Sequence, residues 1–220
     1  MTTRDILCAV ANAYRHFRAS FSYQKSSDEL FDAFCDSLTQ ELGEYEIVYD
    51  FLCGKDTVNV DGITKGYFVQ PGDTVLMDIS VGKDGVWCDV CRTYFVGGIT
   101  EEQRRRFEMI RSSLRAGERA LRAGAVARDI YGAVNAVYEQ QGETLIHHAG
   151  HRIGSAPLLQ PQFLSENDTA LLAGETYTVE SGLYRDFGIR LENDFLLTNN
   201  KAADLFEDLL PLCVEEYILK

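Results

Sequence analysis

The chain has 220 residues, 45% of them hydrophobic, only 4 prolines and a formal net charge of −13. That composition suits a single folded unit over residues 1–220 with a sizeable core, while the acidic balance argues against nucleic acid or an anionic membrane as partner, because phosphate binding needs clustered Lys and Arg. No apolar run approaches the roughly 20 residues that cross a bilayer, and "MTTRDILCAVANAYRHF" is broken by charge and lacks a cleavage pattern, so a cytoplasmic enzyme or binding protein is expected.

In chain order, Ile6, Val10, Tyr14 and Phe17 recur at helical spacing and predict a helix over 4–20. Ser26 and Glu29 fit a capping box that opens a second helix through Leu30, Phe34 and Leu38, with its stop at Gly43. Short extended pieces follow around "EIVYDFLCG", then a hairpin over 74–96. Thr100 and Gln103 open a third helix with Phe107, Ile110, Leu114 and Leu121 on one stripe. A fourth spans 127–141, turning Ile130, Val134 and Val137 or Tyr138 inward. After "TLIHHAGHRIG", residues 175–198 read as two more strands around a bend. Two helices and a hairpin therefore occur twice, which predicts a duplicated unit sharing one sheet, of α+β class. The acidic stretch "DLFEDLLPLCVEEYILK" reads as a packed edge or a homodimer contact.

Six cysteines are scattered through a chain too long to need staples, so reduced thiols are expected. Cys88 and Cys91 form a lone CxxC, but on a strand that spacing points them to opposite faces.

The hairpin "VLMDISVGKDGVWCDVCRTYF" carries one carboxylate in each arm. If Lys83 and Asp84 form the turn, Gly82 faces Gly85, and stepping outward brings Asp78 opposite Asp89 with Cβ atoms roughly 4.5–5.5 Å apart. Two like charges among Val, Leu, Met, Ile and Trp require a solvated face, a shared proton, a basic neighbour or a bound cation. In the second hairpin Thr176, Thr178 and Glu180 share one strand face and Arg190, Glu192 and Asp194 another, with Tyr177, Val179, Ile189 and Leu191 turned away. Four carboxylates meet if the duplicated halves bring these polar faces together, and His151 in "GHRIG" offers a nitrogen ligand. Two Asp, two Glu and one His suit a pair of carboxylate-bridged divalent ions.

"PGDTVLMDIS…GVWCDVCRTYFVGG", "HHAGHRIG", "GETYTVESGLY" and "GIRLENDFLLT" resemble, in order, the motifs of the pita-bread metallopeptidases: methionine aminopeptidase, Xaa-Pro aminopeptidase and prolidase. The resemblance covers most of the chain. It implies the pita-bread fold, ligands Asp78, Asp89, His151, Glu180 and Glu192 for two divalent metal ions (Mn, Co, Zn or Fe), and hydrolysis of small peptides, with Xaa-Pro bonds among the candidates. Glu180 stands at the position of the family's general base. Thr93 and Arg190 share the faces of Asp89 and Glu192 and are expected to hold those ligands from behind. Where the family usually carries two further active-site histidines this chain has Asp61 and Leu158, and Ser181 replaces the usual proline after Glu180. Those departures leave open a non-catalytic metal- or peptide-binding protein of the same fold. Asp61, Leu158 and Trp87 are candidate pocket residues, although Trp87 equally suits a core aromatic. His147 and His148 are read mainly as structural, with a helper role at the site as the alternative.

Overall fold

The computed structural model describes residues 2–199 and 201–220. Helices α1 (Thr3–Ser20), α2 (Ser27–Leu42) and α3 (Glu101–Ala120) each open on a capping box. Two of these, Ser26 with Glu29 and Thr100 with Gln103, are the predicted ones; Thr2 with Asp5 is a third. In each, two otherwise unsatisfied backbone N–H groups gain reciprocal side-chain acceptors. α2 stops at Gly43, whose φ of 67° is left-handed. The predicted stripes Ile6, Val10, Tyr14, Phe17 and Leu30, Phe34, Leu38 are buried. α4 (Ala127–Glu139) ends two residues before 141, and Tyr138 rather than Val137 faces the core. The Tyr138 hydroxyl explains the choice, since it lies 2.7 Å from Ser181 Oγ and 2.8 Å from Gly182 O.

The strands are β1 (Glu46–Cys53), β2 (Thr74–Lys83), β3 (Val86–Val96), β4 (His151–Ile153), β5 (Leu159–Gln162), β6 (Thr176–Tyr184), β7 (Gly188–Leu197), β8 (Ala202–Asp204) and β9 (Ile218–Leu219). They form one nine-stranded sheet in the order β1-β2-β3-β7-β6-β4-β5, with β8 on β7 and β9 on β3. The two hairpins sit back to back, and the predicted repetition appears as a sheet whose halves meet between β3 and β7. Val75, Met77, Ile79, Val81, Cys88 and Val90 face the helices in the main core. Leu76 and Cys91 lie on the other face in a small separate cluster, so the CxxC cysteines do point apart. Tyr14 of α1 fixes the helix layer to the sheet, its hydroxyl lying 3.0 Å from Met77 O and 2.9 Å from Val90 O.

The first hairpin corrects the predicted register. Lys83 pairs with Val86, so the loop residues are Asp84 and Gly85, with φ of 54° and 77°. A two-residue turn of this hand needs positive φ at both positions, which Asp-Gly supplies and Lys-Asp does not. Asp78 therefore faces Cys91 and Asp89 faces Ser80. The error is two residues, and because side chains alternate with period two, Asp78 and Asp89 keep a common face.

β3 and β7 share a single registered pair, Cys91 with Glu192. Side chains close the rest of this seam. Thr93 Oγ1 accepts from Arg190 N (2.9 Å) and donates to Arg190 O (3.0 Å), and Asp89 N donates to Asp194 Oδ2 (2.9 Å). Thr93 thus joins the two strands and does not touch the Asp89 carboxylate, contrary to the expected role.

Candidate metal centre

Asp78, Asp89, His151, Glu180 and Glu192 all line one cavity of about 240 Å³ on the helix-free face of the sheet. Each arrives for a local reason. Asp78 and Asp89 occupy the same face of one hairpin, and Glu180 faces Glu192 directly across the other. His151 opens β4, which lies against β6 because Gly150 precedes it. With φ at 132°, a Cβ there would fall 2.2 Å from Thr178 O. The backbone N–H of His151 then donates to Thr178 Oγ1 at 3.1 Å.

His151 Nδ1 lies 3.0 Å from Arg152 O. A carbonyl only accepts, so Nδ1 carries the proton and the Nε2 lone pair is left for the cavity. Nε2 stands 3.7 Å from Asp89 Oδ2 and 3.8 Å from Glu192 Oε1. Ligand atoms of these three buried residues lie within 4.8 Å of one another. A cation bonded at about 2.0–2.2 Å spans donors up to ~4.4 Å apart, so a small closure completes the contact. Asp89 Oδ1 and Glu192 Oε1 are buried with no hydrogen-bond partner. Burial pushes both carboxyls well above the ordinary range, and the neighbouring acids Asp78 and Glu180 raise them further. Two buried carboxylates, each with one oxygen left unpartnered, beside an imidazole lone pair fit a divalent cation, and one nitrogen with two carboxylates suits zinc or manganese-like ions. Ser80 Oγ steadies this set by donating to Asp89 Oδ2 at 2.8 Å.

Asp78 and Glu180 meet protein cations instead. Arg190 Nη1 lies 2.9 Å from Asp78 Oδ2 and 4.0 Å from Glu180 Oε2, and Nη2 holds Asp50 and Val60 O. Arg190 was expected behind Glu192; it bridges Asp78 and Glu180 across the strands because its side chain projects toward β1 and β2. Of the routes open for neutralising the acidic face, a basic neighbour serves Asp78, whereas among the described residues Asp89 and Glu192 meet no Lys or Arg and only the imidazole of His151. Burial still pushes Asp78 up to about 6, with Glu180 and Asp50 adding to it against Arg190. Glu180 is held below its ordinary range despite burial, by His147, His148 and Arg190. His147 Nδ1 is 3.3 Å from Glu180 Oε2, and His148 Nδ1 is 2.7 Å from Oε1. Burial lowers His147, while at His148 the Glu180 carboxylate overrides burial and raises it.

Both histidines therefore sit at the site, where the sequence reading favoured a structural role; their signal was their place three and four residues before His151. Leu158 reaches the cavity and is 48% exposed at its mouth. The other two pocket candidates do not line it. Asp61 is exposed beside Val60, which takes the lining position. Trp87 packs over Gly82, where a Cβ would lie 2.3 Å from the indole, because it stands at the turn end of the hairpin rather than at the seam.

A family model described as metallopeptidase family M24 matches residues 3–199. The chain is 26% identical over 148 residues to a Xaa-Pro dipeptidase of Pyrococcus furiosus, an alignment covering 66% of this chain and 42% of that protein. Over 151 residues it is 29% identical to a Xaa-Pro dipeptidase of Lactobacillus delbrueckii subsp. lactis, covering 67% and 41%. The chain thus spans about two fifths of the length of these curated relatives. In fold it is similar to the prolidase from Pyrococcus furiosus (TM-score 0.86, 21% identity, 92% of this chain and 61% of that one). It is also similar to the X-Pro aminopeptidase from Thermotoga maritima (TM-score 0.86, 18% identity, 92% and 58%). These likenesses establish the α+β pita-bread architecture.

Proposed function

We propose, on the premise that this chain belongs to metallopeptidase family M24, that it is a metal-dependent dipeptidase or aminopeptidase hydrolysing small peptides, Xaa-Pro peptides among them. One observation carries the reading. The free Nε2 of His151 faces Asp89 Oδ2 and Glu192 Oε1, and Glu192 Oε1 and the other Asp89 oxygen, Oδ1, are buried without a hydrogen-bond partner. Asp89, His151 and Glu192 would hold a first divalent cation, and Asp78 and Glu180 would join Asp89 and Glu192 around a second. Manganese, cobalt, zinc and iron all suit the donors. When bound, the ions supply the Lewis acidity that makes hydroxide available near neutral pH and polarises the scissile carbonyl.

The chain's own residues supply the rest. Glu180 stays ionised between His147, His148 and Arg190 and accepts the proton of the attacking water. His147 stands beside it, its Nδ1 3.3 Å from Glu180 Oε2, in a ring fixed by the 2.6 Å approach of Nδ1 to His148 O and the 3.4 Å approach of Nε2 to the Tyr184 hydroxyl. Arg190 orients Asp78 and Glu180, and Leu158, Val60 and Val48 give the mouth an apolar wall that admits the substrate side chain. No helix among the described residues is long and apolar enough to cross a membrane. The family and the reduced cysteines favour the cytoplasm, and residues 1–220 are read as one catalytic unit that can also pair as a homodimer.

The test is cleavage of a dipeptide panel, Xaa-Pro members included, by metal-free protein resupplied with manganese or cobalt. Glu180→Gln is expected to lose about 10²–10⁴-fold in kcat. Stoichiometric metal without cleavage of any peptide would overturn the assignment.

A further inference from the structure

Residues 201–220 lie beyond the family match, which ends at 199. They nevertheless close on the two strands that carry Asp89 and Glu192. β8 pairs with β7 through Phe195–Asp204, Leu196–Ala203 and Leu197–Ala202, and β9 runs parallel to β3 through Phe95–Ile218 and Val96–Leu219. Between these attachments the segment crosses the helix side of the sheet and buries Phe206, Leu210, Leu212, Val214 and Tyr217. It spans the β3/β7 seam, whose ladder holds a single registered pair.

Arg92 sits at that crossing, wholly buried. Its Nη1 donates to Cys91 O (2.8 Å) on β3 and to Glu192 O (2.7 Å) on β7, one bond on each side of the seam. Nη2 donates to Asn193 Oδ1 (2.6 Å) and Leu210 O (2.6 Å), and Nε to the Tyr217 hydroxyl (2.9 Å). Tyr217 in turn donates to Pro211 O at 2.7 Å. All these acceptors are neutral. A buried guanidinium with no carboxylate at its hydrogen bonds is costly, and two of its acceptors belong to residues 201–220, so that segment fixes where the guanidinium can rest. Asn193 closes the circuit, donating through Nδ2 to the buried Asp204 of β8 at 2.8 Å. Arg92 projects to the helix side while Asp89 and Glu192 project to the cavity, so the clamp acts on the strands from behind the site.

We infer that the segment 201–220, acting through Arg92, is a positioning clamp that sets the spacing of Asp89 and Glu192 for cation binding. The inference rests on the reading that those two residues and His151 hold a cation. Strand spacing decides it: a three-donor site tolerates little spread, and the ladder alone fixes these strands at only one pair. Supporting groups of this kind typically alter metal affinity 10–100-fold when removed.

The test is calorimetric titration of the full metal-free chain with Mn²⁺, alongside its thermal midpoint. Tyr217→Phe keeps the ring and removes only the hydroxyl between Arg92 and Pro211; Asn193→Ala removes the other side-chain acceptor of Arg92. Each is expected to weaken Mn²⁺ binding at least about tenfold while the metal-free protein still unfolds cooperatively. Arg104→Ala, which breaks an exposed contact between α3 and Glu215 of the same segment, is expected to leave affinity unchanged. Lowered midpoints with wild-type affinity in both Tyr217→Phe and Asn193→Ala would show the segment to be structural support only and would overturn the inference. Wild-type protein that fails to bind Mn²⁺ would instead overturn the metal reading beneath it.

Discussion

Replacing Arg190 by leucine removes the one guanidinium among the described residues that line the cavity. Its side chain is 6% exposed and that of Asp78 is 14% exposed, and the pair stands at 2.9 Å. The change also deletes the contact to Asp50 at 3.2 Å and the bond to Val60 O at 2.6 Å. Taking one partner from a buried pair leaves an uncompensated charge and costs about 3–5 kcal/mol, against a total of about 5–15 kcal/mol for a typical native protein. Metal-free Arg190→Leu should therefore lose about a fifth or more of its stability in a urea titration followed by circular dichroism at pH 7. Adding Asp78→Asn to Arg190→Leu removes the stranded charge and should restore much of the loss, giving a favourable coupling in the double-mutant cycle. If Arg190→Leu costs under about 1 kcal/mol, the value of a solvated pair, the cavity is wetter than described and the reasoning about its acidic face fails.

Gly150→Ala should push β4 off β6, because the new methyl meets Thr178 O and the left-handed φ disfavours it; loss of Mn²⁺ binding by calorimetry checks this, and wild-type affinity would contradict it. Mn²⁺ at 100 times its dissociation constant should stabilise the protein by about 2.7 kcal/mol, or roughly 5–10 °C in midpoint, with no such shift in Asp89→Asn. Because burial raises the Asp89 and Glu192 carboxyls, the folded metal-free protein retains protons that an unfolded chain releases. The cation must displace them, so Mn²⁺ affinity falls as pH falls and binding heats vary with the ionisation enthalpy of the buffer; pH-independent affinity between about pH 5.5 and 7.5 would refute this.

Much of the fold was legible because its signals are local. The Ser26 and Thr100 caps, the apolar stripes and the alternating hairpins each need only a few neighbouring residues to be read. The first hairpin shows the limit: choosing between Lys-Asp and Asp-Gly as its loop depends on the sign of φ, and the wrong choice set Asp78 directly opposite Asp89, where the true register slides them two residues apart without changing their shared face. The five acidic and imidazole side chains of the cavity could be gathered from pattern and resemblance. What Arg190, Thr93 and Trp87 do could not, because strand alternation gives the face of a residue and not its reach across a seam. His147 and His148 were undervalued for the same reason, since only the closure of β4 on β6 brings them to Glu180. The clamp from residues 201–220 left no readable motif; it depends on Arg92, one buried cation inside an otherwise ordinary strand.

Crystals soaked in Mn²⁺ and measured for anomalous scattering test the central claim most directly. The account predicts a strong peak among His151 Nε2, Asp89 and Glu192, lost in Asp89→Asn. An empty cavity at saturating Mn²⁺, with those carboxylates unmoved, would contradict it.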